Sequence, residues 1–472
     1  MKTLPTPTRI AGMVAALMAF ATDSTGAGET GSVRLITLDP GHFHAALFQK
    51  EMLPEIARRV HIYAPLGPDL LAYLNRVNGF NSRAENPTHW EMEVHAGPDF
   101  FSRLLAERPG NVVVVSGHSR GKIGRLRELV GAGLHVLADK PWIIEPEEFP
   151  ALEETIERAR AGRVLAYDAM TQRFEVSCML QKELVNDPEV FGSCLAGSER
   201  EPAVYMESVH FLKKLVAGAP LQRPAWFFDH RQQGEPLADV GTHLVDLVQW
   251  TLSSERPLDP HKDLAVLAGS RTAIALTPEQ FRGITGLAVF PRDLAGQVRP
   301  DGSLEYIARN SVSYTLRGVH VKLDVVWDYE APPGGLDSEL AIFRGSQARI
   351  EVRQGPEEKF VPEVFVVPNR AADRAAVEAA LRRRLERLPP ALAGLTVQSD
   401  GPRLRVAVPA VHRISHEAHF ALLVRRFLAY REKPDLLPAW EDAFMRAKYR
   451  VTTEGVRLGR QAQAPGKATA AR

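Results

Sequence analysis

From residue 33 onward, short apolar runs alternate with longer stretches whose apolar positions recur every three or four residues. The short runs read as strands and the longer ones as helices. VRLITL (33–38) predicts a strand, HAALFQKEMLPEI (44–56) a helix and VHIYAP (60–65) a second strand, followed by a polar loop. WEMEVHA (90–96) predicts a third strand and FFSRLLAER (100–108) a helix. NVVVVS (111–116) is apolar throughout, as a strand buried on both faces requires. GKIGRLRELVGAG (121–133) predicts a helix ending on glycine, LHVLAD (134–139) a strand, and PEEFPALEETIERARAG (146–162) a helix leading out. This strand–helix alternation predicts an α/β, doubly wound parallel sheet over residues 33–162.

RVLAYDAM (163–170) opens a second region, expected to run to residue 458. It holds a helix, FEVSCMLQKELVND (174–187), and four β-rich stretches: 265–276, GITGLAVF (283–290), 311–329 and 340–354. Strands gathered after a βαβ unit predict an α+β domain on a mostly antiparallel sheet. RAADRAAVEAALRRRLERL (370–388) reads as a charged, solvated surface helix. Residues 419–430 and 440–456 read as helices packing back on the body, and 459–472 as a disordered tail.

Composition excludes several classes. Over 472 residues the formal net charge is +1, so nothing in the bulk charge points to nucleic acid or an anionic membrane. Two cysteines, Cys178 and Cys194, rule out a disulfide framework; one bridge or two separate thiols both remain open. Lys2 and Arg9, the apolar run 10–21 and the small residues to Ala27 form a signal-peptide pattern over 1–27. Export to the periplasm or medium is the expectation, or the cytoplasm if that start is misread. No other segment is long and apolar enough to span a bilayer.

Three stretches carry candidate chemistry. LITLDPGHFHAAL (35–47) is a strand running into a helix, where a glycine-rich phosphate loop would lie in a dinucleotide fold. Asp39 takes the first glycine position, Gly41 the second and His44 the third. Asp139, Lys140, Pro141 and Trp142 follow the strand 134–138, at the end where ligands bind parallel sheets. Asp239 to Asp246 begins a helix on which Asp239 and His243 are i,i+4 neighbours, and His243 and Asp246 i,i+3. A histidine flanked by carboxylates has a raised pKa and passes protons near neutrality. No metal centre is expected: His42 and His44 with Asp39, and the trio His412, His416 and His419, read as packing.

Together the three stretches resemble the glucose–fructose oxidoreductase / inositol dehydrogenase (Gfo/Idh/MocA) family. Asp139-Lys140-Pro141 resembles its Glu-Lys-Pro motif, and Asp239 to His243 its Asp-x-x-x-His motif. Residues 419–460 are similar to the oxidoreductase C-terminal domain of one branch. The resemblance implies a Rossmann-like first domain and an NAD(P)-dependent oxidoreductase acting on a secondary hydroxyl of a sugar, polyol or glycoside. It implies His243 as acid/base, Lys140 at the nicotinamide and the hydroxyl, and Asp239 orienting either. Gly41, His42, Phe43, Ser116, His118, Lys140 and Pro141, with Pro141 cis, would line the cofactor. Tyr205, His210, Arg231, Gln233 and Asp246 are substrate-side candidates. The choice of NAD or NADP stays open, since no acidic residue ends the second strand and Asp69 lies further on. A glycoside hydrolase or lyase using a tightly bound cofactor transiently, and a non-catalytic sugar-binding protein, are the rival readings. The expected partner is a small carbohydrate, with homo-oligomers possible.

Overall fold

The computed structural model describes residues 31–216, 219–253 and 256–463. The expected signal peptide and residues 464–472 of the expected tail lie outside them. The first half is built from β1 (Val33–Leu38), α1 (His44–Leu47), β2 (Ile56–Ala64), α2 (Pro68–Ser82), β3 (Glu91–Ala96), α3 (Phe100–Glu107), β4 (Val112–Val115), α4 (Lys122–Gly131), β5 (His135–Ala138), α5 (Phe149–Gly162) and β6 (Ala166–Asp168). The strands form one parallel sheet in the order β3-β2-β1-β4-β5-β6. The doubly wound expectation holds, and its physical cause is visible. Val33 and Leu35 of β1 and Val112 and Val114 of β4 enter one apolar layer; Ile36, Leu38, Val113 and Val115 enter the other.

Three local expectations fail. The helix expected over 44–56 is a single turn, because Pro54 and the residues before it cannot continue it and Ile56 already joins β2. The stretch taken as a polar loop holds α2, whose Leu70, Tyr73 and Val77 form one buried stripe among polar residues. RVLAYDAM does not open the second domain: Ala166, Tyr167 and Asp168 pair with β5 and complete the first sheet, so the break at 162 falls later.

The second half comprises α6 (Val176–Val185), β7 (Val204–Lys213), a small ribbon of β8 (Leu215–Val216) and β9 (Ala219–Pro220), α7 (His230–Gln233), α8 (Pro236–Asp239), α9 (Gly241–Leu252), β10 (Leu264–Leu276), α10 (Pro278–Thr285), β11 (Leu304–Leu316), β12 (Val319–Glu330), β13 (Ser338–Arg344), β14 (Ala348–Gln354), β15 (Glu363–Pro368), α11 (Arg374–Glu386), β16 (Thr396–Asp400), β17 (Arg403–Ala407), α12 (His416–Glu432) and α13 (Glu441–Gln463). Nine strands form its sheet, in the order β10-β11-β12-β7-β13-β14-β15-β17-β16. Every pair is antiparallel except β12 with β7, as the mostly antiparallel expectation requires. GITGLAVF is no strand: Thr277 caps α10, which runs to Thr285 and stops at Gly286 in the left-handed region. The arginine-rich helix α11 is not fully solvated either, since Val377, Ala380, Leu381 and Leu385 are buried and Arg383 reaches Glu189 at 2.8 Å. Both cysteine thiols are free. Among the described residues no helix is long and apolar enough to cross a membrane.

The last two helices bind the halves together. Phe420, Leu423, Val424 and Phe427 of α12 complete one apolar layer of the first sheet, and Met445 and Tyr449 of α13 complete the other. The same α13 crosses β10 at glycines. A Cβ on Gly269 would lie 2.1 Å from the Gly455 carbonyl oxygen, and one on Gly455 2.7 Å from Leu237. Only bare backbone permits that approach. Helix α13 continues to Gln463, past the point where the tail was expected to begin.

On α12, His419 is buried, its Nε2 has no hydrogen-bond partner among the described residues, and burial pushes its pKa down to about 4. In the unfolded chain the group titrates near about 6.5, so on acidification protons bind the unfolded chain first. Stability should be unaffected by this group above that value, and fall between about pH 6.5 and 4, by at most ~3 kcal/mol. Urea midpoints at pH 7 and 4.5 should converge in His419→Leu relative to the parent; an equal drop in both proteins would contradict the assignment.

Candidate active site

Loops at the carboxyl ends of β1, β4 and β5 meet over the first sheet. In the β1–α1 loop, Asp39 adopts φ 48°, the left-handed conformation that glycine ordinarily takes there. Its carboxylate lies 2.6 Å from Arg125 Nη1 and 3.5 Å from His118 Nδ1. Burial pushes its pKa up, but His118 and Arg125 outweigh burial and hold it below the usual range. Gly41 N donates to the Asp39 carbonyl at 2.8 Å, and His42 N to the Ser116 carbonyl at 3.0 Å. Gly117 presses on the same loop, where a Cβ would lie 2.0 Å from the Asp39 carbonyl oxygen. Two amides that would face a phosphate are therefore committed to protein carbonyls, and Asp39 meets the loop as part of an ion pair.

Behind this loop sits a buried polar centre. Asp139 Oδ2 is approached by His42 Nδ1 at 2.9 Å, His44 Nδ1 at 3.0 Å and Ser116 Oγ at 2.9 Å. Its other oxygen is buried without a partner among the described residues. Burial raises the Asp139 pKa, yet the two histidines outweigh it and hold the carboxyl well below its ordinary value. Burial lowers His44 to about 4. Asp139 thus takes the place beside His42 and His44 that the sequence suggested for Asp39. The Lys140–Pro141 peptide is cis, as the resemblance implied. Lys140 Nζ lies 2.5 Å from Asp239 Oδ1, both side chains being buried. Lys122 Nζ, also buried, donates to the carbonyls of Asp139 and Pro141, and burial lowers its pKa to about 8.

His243 lies on the first turn of α9, buried, with Nδ1 unpartnered among the described residues. Its expected raised pKa is corrected by the structure. Burial, then the charge of Lys140, hold it well below its ordinary value, so the ring is neutral near pH 7. The flanking carboxylates are engaged elsewhere: Asp239 with Lys140, and Asp246 in a two-bond pair with Arg173 at 2.6 and 2.7 Å. Arg173 also holds Glu441 of α13 at 2.7 Å, and Lys448 lies 2.6 Å from Asp168. Asp246 is accordingly part of a buried ionic cluster that ties α9 to α13.

A cavity of about 620 Å³ opens in front, lined among others by Gly41, His42, Phe43, Asp69, Arg76, His118, Trp226 and Asp229. Ligand pockets fall in this size range, roughly 300–1,000 Å³. Trp226 Nε1 donates to Asp69 at 2.8 Å, and its ring lies 4.3 Å from that of His118. Arg76, on the helix missed in the sequence, faces the cavity and stacks 6.0 Å from the Phe43 ring; no carboxylate pairs with it among the described residues. Burial lowers its pKa.

The remaining substrate-side candidates are dispersed. Tyr205 hydrogen-bonds Asp324 and Glu207 on the second sheet, and His210 bonds Asp337 and Ser208. Arg231 is largely exposed and folds back on Asp229, and Gln233 is buried while its neighbour Gln232 lines the cavity. His416, read as packing, stands with its ring 5.6 Å from that of His44, its pKa lowered to about 3 by burial first. Neither its place nor that of Arg76 has a sequence-local signal, because each enters the site from an element distant in the chain.

Comparison with known proteins agrees with this architecture. Residues 180–460 match the family model described as "Putative oxidoreductase C terminal domain". The chain is 40% identical to a protein of Parabacteroides merdae described as a "putative oxidoreductase", covering 92% of this chain and 99% of that one at a TM-score of 0.89. A protein of gentamicin A biosynthesis in complex with NAD is 14% identical, with 94% and 98% covered and a TM-score of 0.54. A 3-ketoreductase from Actinomadura kijaniata, in complex with NADP and TDP-benzene, is 14% identical, with 90% and 97% covered and a TM-score of 0.52. These last two share the fold. No curated protein matches.

Proposed function

The chain belongs to the Gfo/Idh/MocA oxidoreductase family, and from that premise we propose that it is an NAD(P)-dependent enzyme acting on a secondary hydroxyl of a sugar, polyol or glycoside. The observation that carries the reading is the neutral, unpartnered Nδ1 of His243, buried beside the Lys140–Asp239 pair. Removing hydrogen from a secondary alcohol needs an acceptor for a proton and another for a hydride. A nicotinamide supplies the second when bound.

The cavity suits a dinucleotide in three respects. It lies at the carboxyl ends of the parallel strands, it has the required volume, and Arg76 offers it an unpaired cation. Gly41, His42, Phe43, His118 and Arg76 would hold the group. Two fold relatives carry NAD and NADP. The engaged amides of Gly41 and His42 mean that charge and shape hold the phosphates more than loop donors do.

His243 receives the hydroxyl proton on a neutral ring nitrogen. Lys140, fixed by Asp239, places a positive charge near that ring and favours an alkoxide-like oxygen as the proton leaves. Burial of all three excludes water from the transfer. Export, read from residues 1–27, is part of the proposal, and a cofactor retained through turnover goes with it.

Mass spectrometry of small molecules released from the denatured protein should show NAD or NADP, or NAD(P)H should bind when added back; the absence of both would overturn the reading. Gly41→Ala should keep the fold but weaken NAD(P)H binding at least ~10-fold, about 1.4 kcal/mol. Its Cβ would lie 3.2 Å from Asp69 and 3.3 Å from Trp226, narrowing the cavity. Net NADH formation from free sugars separates a dehydrogenase from a glycoside-cleaving enzyme that closes its redox cycle.

A further inference from the structure

The hydroxyl chemistry above leaves His44 and Asp139 without a task, and uses His42 only as part of the cavity wall. Two imidazole nitrogens converge on one carboxylate oxygen at 2.9 and 3.0 Å, and the ligand atoms of all three residues lie within 4.8 Å of one another. We propose that His42 Nδ1, His44 Nδ1 and Asp139 Oδ2 are three facial ligands of a divalent first-row transition-metal ion.

Two of the three ligand-to-ligand edges are short, at 2.9 and 3.0 Å. With bonds of about 2.1 Å, ligand atoms about 3.0 Å apart subtend roughly 90° at a metal, the angle of an octahedral face; a tetrahedral site would hold them about 3.4 Å apart. Two histidines and a carboxylate on one face leave the opposite positions open. His42 also lines the cavity, which can bring oxygen ligands, water or a hydroxyl pair to the ion. Nitrogen and carboxylate donors together suit Mn²⁺ to Zn²⁺, and do not suit Ca²⁺ or Mg²⁺.

Charge gives the second argument. The Asp139 carboxylate is buried, with 2% of its surface exposed. The nearby ammonium groups are engaged: Lys140 with Asp239, Lys122 with two carbonyls. A buried carboxylate in this position is costly without a counter-charge, and a metal ion supplies one. The unpartnered Asp139 Oδ1 is the third argument, since a second carboxylate oxygen left bare can swing to a bidentate contact.

A second group, His61, Glu93 and His95, also gathers ligand atoms, on the rim of the first sheet. The test therefore uses the full mature chain carrying His95→Ala, stripped with a chelator and titrated with Co²⁺. Visible absorption reports coordination geometry and calorimetry the affinity. One Co²⁺ should bind per chain with the weak absorption of a five- or six-coordinate ion. His42→Gln, at a half-buried position that the fold tolerates, should weaken binding by at least the ~10–100-fold seen when a mere outer partner of a metal is lost. His44→Gln should do the same. No Co²⁺ binding by the folded parent, or equal binding by both variants, would overturn the site. NADH binding to the stripped protein is measured separately, so loss of the metal site and loss of the dinucleotide reading give different results.

Discussion

His243→Ala should turn over about 10²–10⁴-fold more slowly than the parent while binding NAD(P)H unchanged. The ring sits on the first turn of α9, where no ion pair depends on it and its Nδ1 has no partner to lose, so removal leaves the fold intact. The pH dependence gives an independent readout. Burial and then Lys140 depress the His243 pKa, so the neutral, proton-accepting form persists below the ordinary histidine range. A rate profile for hydroxyl oxidation should therefore show no acid limb attributable to this histidine near its ordinary value of about 6.5. A turnover number unchanged by the substitution would eliminate His243 as the base.

Lys140→Met should have the second large effect, on stability as well as rate. The Lys140–Asp239 pair is buried on both sides, and removing one partner strands the other charge. Breaking such a pair typically costs about 3–5 kcal/mol. Burial alone would lower the Lys140 pKa, but Asp239 and then Asp139 more than compensate, which shows how far each charge relies on the others. Adding Asp239→Leu in the same chain should recover most of the lost stability and none of the turnover. Recovery of turnover in the double variant would show that the pair is structural only. In the single variant the His243 pKa should also rise, because the charge that depresses it is gone, and an acid limb should appear in the rate profile.

The first sheet was legible because its strands carry their signal locally: NVVVVS is apolar on both faces and the helices beside it are amphipathic. Helix α2 was hidden because Asn75, Asn78, Gly79 and Asn81 look like a loop, while only Leu70, Tyr73 and Val77 are buried. GITGLAVF misled in the opposite way, being apolar without being a strand, with Leu287 and Val289 exposed. Among the candidate residues, Lys140, Asp239 and His243 stand out in the sequence because each lies in a short motif. The surroundings of His243 do not. Helical spacing brings Asp239 and Asp246 near it, but which cation claims each carboxylate is decided by Lys140 and Arg173, residues 99 and 73 positions away in sequence. The metal-like trio was overlooked for the same reason: Asp39 is the nearest carboxylate to His42 in sequence, and Asp139 the nearest in space.

Helix α13 also dictates the order in which the molecule can be assembled during synthesis. Domains generally fold from the N-terminus as the chain emerges. Here one apolar layer of the first sheet is closed by Met445 and Tyr449, and the floor of the site is fixed by Lys448 on Asp168 and by Glu441 on Arg173. A nascent chain that has released every strand of the first sheet still lacks that floor. The reaction centre can be completed only when α13 leaves the ribosome, so an unfinished chain has no active site, and its substrate cavity stays idle until synthesis is done.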